Sequence, residues 1–219
     1  MKILIVILSA NLSPWDKLTD TIENTWGSFK NKNVEIIYYY GDKDKAQYGP
    51  ILEKNKLYLN HDETFENIGR KTIEMFDYII KHFKFDYILR TNSSSYINQD
   101  MLEQFLYTKE RENYAGAVIG NHHGINFLSG AGYVLSRDVV ELVLKHKNKW
   151  DHSYIDDVAL GLLLSGFKNI KFNSHLRIDI NNPNNVYIDK NVFHYRCKCA
   201  NRDDDIKIMN SLHEKYNNI

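Results

Sequence analysis

Short apolar runs alternate with helical patterns along the chain, and this alternation limits the fold more than any other feature. Such an order is typical of α/β proteins, in which helices cover a mostly parallel sheet. The apolar runs predict strands over 2–8, 34–40, 85–91, 115–119 and 132–135. No repeat, low-complexity block or linker rich in glycine and serine interrupts the order, so a single domain over 1–219 is expected.

The clearest helical pattern begins near Asp62. Apolar side chains recur after it with the period of a helix and give it one apolar face, which is expected to pack on the sheet. They are Phe65, Ile68, Met75, Phe76, Ile79, Ile80 and Phe83. Ser136 is placed to cap a helix over 137–145. A last amphipathic helix is predicted over 206–216.

Composition narrows the classes of partner. Lys plus Arg and Asp plus Glu number 28 each, so no net field would attract nucleic acid, and no nucleic-acid partner is expected. The opening apolar run at 3–8 is much shorter than a membrane span, so no transmembrane segment is expected. Cys197 and Cys199 are too close for an ordinary disulfide and too few for a zinc cage, which favours a reducing, cytoplasmic location.

The polar residues that follow the predicted strands indicate a ligand site. Ser9 and Ala10 follow the first strand, Gly41 and Asp42 the second, and the segment 92–94 the third. Parallel α/β sheets bind ligands at the carboxyl ends of their strands, where loops and helix N-termini offer donors to phosphate. One crevice could therefore hold a nucleotide, although the fold alone does not establish that function.

Four separated segments carry a more specific pattern: 22–27, 62–72, 128–136 and 155–161. They are similar in order and spacing to the Arg-x-Thr-Trp-Gly, Asp-x-Tyr-x-Asn-Leu-x-x-Lys-Thr, Ser-Gly-Gly-Gly-Tyr-Val-Leu-Ser and Glu/Asp-Asp-Val-x-x-Gly segments of one enzyme family, with Glu23 in place of the first arginine. The chain thus resembles the β1,3-galactosyltransferase and Fringe-like glycosyltransferases.

The resemblance implies a GT-A, Rossmann-like fold and an inverting glycosyltransferase. Such an enzyme moves a sugar from a nucleotide-sugar donor, for example a UDP-sugar, to a hydroxyl group of a glycan or glycoconjugate acceptor. By this resemblance, residues 1–98 would mainly form the nucleotide-sugar half of the domain. Residues 99–219 would mainly form the acceptor and catalytic half.

The chain departs from the family where the family holds its metal ion. The segment 90–94 reads Arg-Thr-Asn-Ser-Ser in the place of Lys-Thr-Asp-Asp-Asp, whose acids hold a divalent ion against the diphosphate. Neutral amide and hydroxyl oxygens are poor ligands for magnesium or manganese, which prefer carboxylates. No metal and no other cofactor is therefore expected. For Ser95, a polar turn or helix cap is an equally good interpretation.

Without a metal, other groups must neutralise the leaving diphosphate. Cationic side chains and the N–H groups of the Ser93-Ser94 turn are expected to do so. The predicted donor-binding residues are Ser9, Ala10, Asp62, Lys71, Arg90, Thr91, Asn92, Ser93, Ser94, His194, Arg196 and Lys198. The last two are explained about equally well as solvated surface cations. His194 aligns with a histidine that ligates metal in parts of the family, and here it would donate to phosphate or simply pack.

Asp156 and Asp157 are the predicted catalytic residues. Ser153 and Asp156 have the spacing of a capping box, so Asp156 is expected to close the start of a helix. Asp157 resembles the family's catalytic base, which takes a proton from the acceptor hydroxyl. The predicted acceptor-binding residues are His122, His123, Ser129, Gly130, Ala131 and Gly132. A strand bulge or turn explains the last four equally well, and simple exposure explains the histidines.

Two other functions remain compatible with the sequence. A catalytically inactive GT-A-fold protein that binds glycans or nucleotides fits the lost acids, but the retained Asp157 argues against it. A nucleotidyltransferase of related α/β architecture is the third candidate. It is weakened because such enzymes depend strongly on a metal held by acids.

Overall fold

An eight-stranded sheet forms the middle of the protein, and a three-stranded sheet lies at one edge of the ligand-binding side. The computed structural model describes residues 1–218. Its elements are β1 Ile3–Leu8, α1 Trp15–Asn24, β2 Val34–Gly41, β3 Ile51–Glu53, β4 Lys56–Leu59, α2 Ile68–His82, β5 Tyr87–Asn92, β6 Ser95–Ile97, α3 Gln99–Tyr107, β7 Tyr114–His122, β8 Ile125–Ser136, α4 Arg137–Lys145, α5 Asp156–Ser165, β9 Lys171–Ser174, β10 Ile178–Ile180, β11 His194–Cys197 and α6 Arg202–Asn217.

The order of the large sheet is β3-β4-β2-β1-β5-β8-β7-β9. Strands β4, β2, β1 and β5 are mutually parallel, and β7 is parallel to β9. Strand β3 is antiparallel to β4, and β8 is antiparallel to both β5 and β7. The expected α/β fold with a mostly parallel central sheet flanked by helices is confirmed.

Strand β1 shows why this sheet is buried on both sides. Its residues Ile3, Ile5 and Ile7 join an apolar cluster with side chains of α1, α3 and α6. Leu4 and Val6, which point to the other face, join a second cluster with α2, α4 and α5. Two covered faces require a continuous apolar strand, and this is the pattern that the sequence has here.

The strand predicted at 132–135 is the end of a longer strand, β8, and it runs antiparallel to β5. A tight turn, in which His123 and Gly124 have positive φ angles of 47° and 86°, joins β7 to β8 and forces this direction. As a result, the second half of β8 pairs with β5, and Gly132 lies beside Thr91 at the carboxyl end of β5.

The predicted helices are present, with two local differences. The helix over 137–145 has the predicted bounds, but the hydroxyl of Ser136 donates to Asp138 Oδ1 and accepts from the Tyr114 N–H instead of capping α4. Phe65 does not belong to the apolar face of α2. It lies in a short 3-10 turn before that helix and is 66% exposed.

Strands β10, β11 and β6 form the small sheet, which brings the end of the chain to the carboxyl edge of the large one. Strand β6 follows β5 almost directly, and β11 pairs with it through His194 and Ile97. The Cys197 N–H also donates to the Ser94 carbonyl at 2.8 Å. This pairing fixes the tail next to the turn that follows β5, and α6 then packs against the apolar cluster around α1.

A buried histidine, His175, makes the stability of the fold depend on pH. Its Nε2 atom lies 2.7 Å from the Tyr114 hydroxyl, and burial lowers its pKa to about 4. Histidine in an unfolded chain titrates near pH 6.5, so between these values the unfolded state binds more protons than the folded one. The free energy of unfolding should therefore fall as the pH falls through this window, by about 3 kcal/mol from this residue at its lower end.

Denaturant unfolding of the wild-type protein and of His175→Gln at about pH 7 and about pH 4.5 tests this. The variant should lose clearly less stability on acidification than the wild type. His122→Gln, which changes an exposed histidine, is the matched control and should behave as the wild type does. An equal loss in all three proteins would contradict the assignment.

Candidate functional site

A cavity of about 390 Å³ opens at the carboxyl ends of β1 and β5. Its walls come from the loop after β1, the segment before α2, the turn after β5 and the tail. This volume is within the range of pockets that hold small molecules. Seven of the predicted donor-binding residues line it: Ser9, Ala10, Lys71, Asn92, Ser93, Ser94 and Arg196.

The turn after β5 does not offer the anion nest that the sequence suggests. The Ser93 N–H donates to the Leu8 carbonyl at 3.2 Å, and the Ser94 N–H donates to Asn92 Oδ1 at 3.1 Å. Both N–H groups are therefore used within the protein, and Asn92 serves as a turn-forming residue. What the turn presents to the cavity is side chains, the hydroxyls of Ser93 and Ser94 among them.

Three cationic side chains line the cavity: Lys71, Arg196 and Arg202. They differ in how far the protein already neutralises them. The Lys71 Nζ is fully buried and pairs with Glu63, whose other oxygen accepts from the Gly41 N–H at 2.7 Å. Burial lowers the pKa of Lys71, and Glu63 opposes this change. Lys71 is thus a paired cation at the cavity wall.

Arg202 is also paired, since it donates to Asp205 Oδ2 at 2.6 Å and lies over the Trp15 ring at 5.0 Å. Arg196 is different. Among the described residues its nearest carboxylate is Asp179, 3.9 Å away, and its guanidinium makes no hydrogen bond. Burial and the positive charges of Arg177 and Arg202 lower the pKa of Arg196. Arg196 is therefore the cavity cation that would gain most from a bound anion.

Arg90 lies beneath this site and does not line the cavity. Its Nε donates to the Tyr39 hydroxyl at 3.0 Å, its Nη1 donates to the Gly130 carbonyl, and its Nη2 lies 2.7 Å from Asp156 Oδ2. Burial disfavours its charge, but the Asp156 carboxylate prevails and raises the pKa of Arg90 above its ordinary value. Arg90 was predicted to bind the donor, but its side chain is instead buried inside the protein.

Asp156 does not cap the start of α5, although the sequence suggests that it does. The N–H and the hydroxyl of Ser153 bond to Asp151 Oδ1 at 2.9 and 2.6 Å, so no capping box forms with Asp156. Asp156 is instead buried in the ion pair with Arg90. Burial raises the pKa of Asp156, and Arg90 opposes this rise.

Asp157 lies at the first turn of α5 with both of its oxygens held by backbone N–H groups. Its Oδ2 accepts from Gly130 at 2.8 Å and its Oδ1 accepts from Val158 at 2.9 Å. The residue is 9% exposed. Each carboxylate oxygen can accept a further hydrogen bond.

The segment Ser129–Gly132 is a bulge in the β7–β8 ladder. Ala117 pairs with Tyr133 and Ile119 pairs with Leu128, so β8 has four residues between these pairs where β7 has one. The bulge brings the Gly130 N–H to Asp157, as bulges beside functional sites often re-aim a chain. A Cβ atom at Gly130 would lie 3.1 Å from Asp157 Oδ2, and one at Gly132 would lie 2.3 Å from the His194 ring.

The other predicted site residues lie outside the cavity. His194 is buried against Gly132 with its Nε2 3.1 Å from Ser95 Oγ, and burial lowers its pKa well below the ordinary value, so it is packed and neutral. Thr91 is buried and donates to the Ala131 carbonyl at 2.7 Å. Four further residues are exposed. Asp62 pairs with Lys43 at 2.5 Å, Lys198 faces solvent, and His122 and His123 form the tip of the β7–β8 hairpin.

The structure adds residues that the sequence prediction omitted: Trp15, Glu63 and Arg202. Motif spacing could have found one of them. Counting back four residues from Asn67 places Glu63, and not Asp62, at the acidic position of the family segment. Nothing local in the sequence marks the other two, because only the small sheet brings the tail to α1.

The residues present do not fit a divalent metal ion. Within residues 1–218, no three His, Cys, Asp or Glu side chains are grouped so that they could hold one. The turn that follows β5 supplies an amide and hydroxyl groups instead.

Within residues 1–218, no helix is long and apolar enough to cross a membrane. Cys197 and Cys199 are both buried and unbonded, and a cytoplasmic location stays a prediction.

No family model matches the chain. β-1,3-Galactosyltransferase 1 of Mus musculus is 24% identical to it in a match that covers 74% of this chain and 59% of the relative. A glycosyltransferase involved in the glycosylation of the major capsid of PBCV-1 has a TM-score of 0.57 at 13% identity, with 95% of this chain and 99% of that chain covered. The chain is thus similar in sequence to galactosyltransferases, and it has the GT-A fold of its structural neighbours.

The fold alone does not decide the reaction of this galactosyltransferase-like chain. A 4-diphosphocytidyl-2C-methyl-D-erythritol synthase from Anaerococcus prevotii shares the fold, with a TM-score of 0.53 at 11% identity and 96% coverage of both chains. The chain spans about 59% of the length of the curated relatives that it matches. Its own activity must therefore be argued from the site.

Proposed function

We propose that the galactosyltransferase-like chain transfers a sugar from a nucleotide-sugar donor to a hydroxyl group of a glycan or glycoconjugate acceptor, with inversion and without a metal ion. One observation carries this proposal: at the strand ends where the family holds a metal, this chain has a cavity with its own cations, and Arg196 among them has only a long ion pair, 3.9 Å from Asp179, which is also bonded to Arg177. The sequence relatives, which are galactosyltransferases by name, favour glycosyl transfer over nucleotidyl transfer.

The mixed character of the cavity supports a nucleotide as ligand. Leu12 and Phe65, which are 56% and 66% exposed, give its walls apolar surface that a flat base could cover. Arg196 and Arg202 give it positive charge, and a guanidinium matches the geometry of phosphate oxygens. A nucleoside diphosphate combines the two chemistries that these walls would bind.

In the proposed reaction, charge develops on the diphosphate as its bond to the sugar breaks. Fixed cations beside that group lower the barrier because they need no rearrangement when the charge appears. Lys71 and Arg202 are held in close pairs by Glu63 and Asp205, whereas the Arg196 pair with Asp179 is longer, at 3.9 Å, so Arg196 contributes the least neutralised charge. It thereby takes over part of the work that a divalent ion does in related sites.

Asp157 is the proposed base. The acceptor oxygen forms a bond to the anomeric carbon while the bond from that carbon to the diphosphate breaks on the opposite side. The nucleoside diphosphate leaves with the electron pair, and Asp157 takes the proton of the acceptor hydroxyl. The acceptor would approach along Ser129 and Gly130, where the absence of a side chain at Gly130 leaves the carboxylate accessible.

The alternative is a catalytically inactive GT-A-fold protein that binds nucleotides or glycans. It is favoured by one feature of the site: both oxygens of Asp157 already accept hydrogen bonds from backbone N–H groups. Such a protein would bind a donor and never consume it. Equilibrium binding and turnover measured on the same sample separate the two functions.

A screen of nucleotide sugars against saccharide acceptors, with and without EDTA, tests the proposal. We expect turnover with at least one donor, and we expect EDTA to leave it within about 2-fold, because neutral oxygens cannot hold the metal. A metal-dependent glycosyltransferase in the same assay is the control for the chelator. Loss of most turnover in EDTA with recovery in manganese would contradict metal independence, and donor binding without turnover would favour the inactive alternative.

A further inference from the structure

Arg90 is a buried cation for which donor binding gives no role. It lies outside the cavity and is 2% exposed; its Nε and Nη1 donate hydrogen bonds inside the protein, and its Nη2 forms an ion pair. Burying a guanidinium is unfavourable unless its partners are well placed, and replacing such a network by apolar side chains is often neutral or stabilising. Stability alone therefore does not explain a buried arginine here, and the location of its partners indicates its role.

The partners of Arg90 lie on either side of the proposed base. Its Nη1 donates to the carbonyl of Gly130, and the N–H of that same glycine donates to Asp157 Oδ2 at 2.8 Å. Its Nη2 pairs at 2.7 Å with Asp156, the residue before Asp157 on α5. Gly130 fits between the two groups, since a Cβ there would lie 3.3 Å from Arg90 Nη1 and 3.1 Å from Asp157 Oδ2.

We propose that Arg90 is a positioning residue, which holds Gly130 and the start of α5 so that the Asp157 carboxylate is fixed for proton transfer. This inference rests on the proposed function, in which Asp157 is the base. Arg90 touches neither donor nor acceptor and acts through Gly130 and Asp156.

The geometry requires an arginine. The guanidinium reaches Tyr39, Gly130 and Asp156 at once because its nitrogens diverge in one plane. A lysine has one nitrogen at that distance and can keep the ion pair with Asp156, but it cannot also hold the Gly130 carbonyl. Arg90→Lys therefore keeps the buried charge and removes the positioning contact.

Hydrogen exchange at the Gly130 amide tests the proposal without any need for activity. In Arg90→Lys, we expect this amide to exchange at least about 10-fold faster than in the wild type, because its partner is no longer held in place. The Tyr114 amide, which also donates to a side-chain oxygen, Ser136 Oγ at 3.0 Å, should not change. Tyr39→Phe removes only one contact of Arg90 and should give a smaller change of the same sign even if Arg90→Lys folds poorly.

The matched control variant is Arg137→Lys. Arg137 also donates to two backbone carbonyls, those of Phe83 and Ile80, both at 3.0 Å, but it lies at the opposite end of β5. It should leave exchange at Gly130 unchanged. Unchanged exchange at Gly130 in both Arg90→Lys and Tyr39→Phe would overturn the proposal, whether or not the protein transfers sugar.

Kinetics give the second arm. Arg90→Lys should lower kcat by about 10- to 100-fold, since a misplaced group costs rate. Its affinity for uridine diphosphate should stay within about 2-fold, because no donor contact is removed. When Asp157 is already replaced by asparagine, adding Arg90→Lys should lower kcat by less than about a further 3-fold, since both substitutions remove the same function, proton transfer to a positioned carboxylate. A further loss of kcat as large as that in the single variant, or a large loss of nucleotide affinity, would overturn the proposal.

If the wild type transfers no sugar from any donor, the proposed function fails, and the exchange result decides the positioning role alone.

Discussion

Replacing Asp157 by asparagine should lower the transfer rate by about 10²- to 10⁴-fold, because an amide cannot take the proton of the acceptor hydroxyl. The shape of the site should be kept, since one amide oxygen can still accept from Gly130 or Val158. Affinity for a nucleoside diphosphate should stay within about 2-fold, and the loss of one charged backbone contact should destabilise the fold by about 1 kcal/mol. Initial rates, calorimetry and thermal unfolding of the same preparation measure the three quantities.

Two neighbouring acids make the comparison specific. Asp151→Asn changes an exposed acid shortly before α5 and should leave the rate unchanged. Asp156→Asn leaves the Arg90 charge buried without its partner, so its main effect should be a loss of stability, on the order of 3–5 kcal/mol. If Asp157→Asn keeps near-normal turnover while Asp156→Asn is inactive and well folded, the roles are exchanged. If both variants remain active, α5 carries no base.

Replacing Arg196 by glutamine should weaken the binding of uridine diphosphate by about 10- to 100-fold, the equivalent of one hydrogen bond between charged groups. The effect should be large because the only ion pair of Arg196 among the described residues is the long one with Asp179, at 3.9 Å, and the side chain is already partly withdrawn from water. Calorimetry with uridine diphosphate and with uridine separates the diphosphate contribution from that of the base. Affinity for uridine alone should not change.

Lys198→Gln is the matched control, because Lys198 lies two residues further along the tail and is exposed outside the cavity. It should bind both ligands as the wild type does. Equal losses for uridine and uridine diphosphate in Arg196→Gln would point to damage of the whole cavity. No loss at all would remove Arg196 from the diphosphate site. Lys71 is a less clear test than Arg196, since removing it also leaves Glu63 unpaired in the cavity wall.

The sequence prediction was most successful where burial covers both faces of an element. Strands β1, β2 and β5 begin and end within about two residues of the predicted bounds, because a strand between two layers must be apolar throughout. Helix α4 agrees at both ends. The short strands β3, β4, β6, β9, β10 and β11 were missed, since each has only three or four residues and no period is visible in so few. Few side chains of β3, β9 and β10 are buried, whereas most of those in β6 and β11 are.

The site was predicted less completely than the fold. Residues that directly follow strands, such as Ser9 and Asn92, lie in the cavity as expected, because parallel strands end at a common edge. Arg90 occupies a comparable place in the sequence, yet it lies under the cavity. Whether a side chain at a strand end faces a ligand or the interior depends on what packs beside it. For Arg90 those neighbours are Gly130 and Asp156.

The sequence by itself determined the layered α/β fold, the likeness to galactosyltransferases and the absence of acidic residues from the segment 90–94. Each of these follows from residues that are close in the chain or from a fixed order of segments. Only the tertiary structure decided which groups line the cavity beside that segment. Arg196 reaches the cavity because β11 pairs with β6, and the Ser93 N–H is unavailable because Leu8 accepts from it. Such pairings join residues that are far apart in the chain, and no local pattern records them.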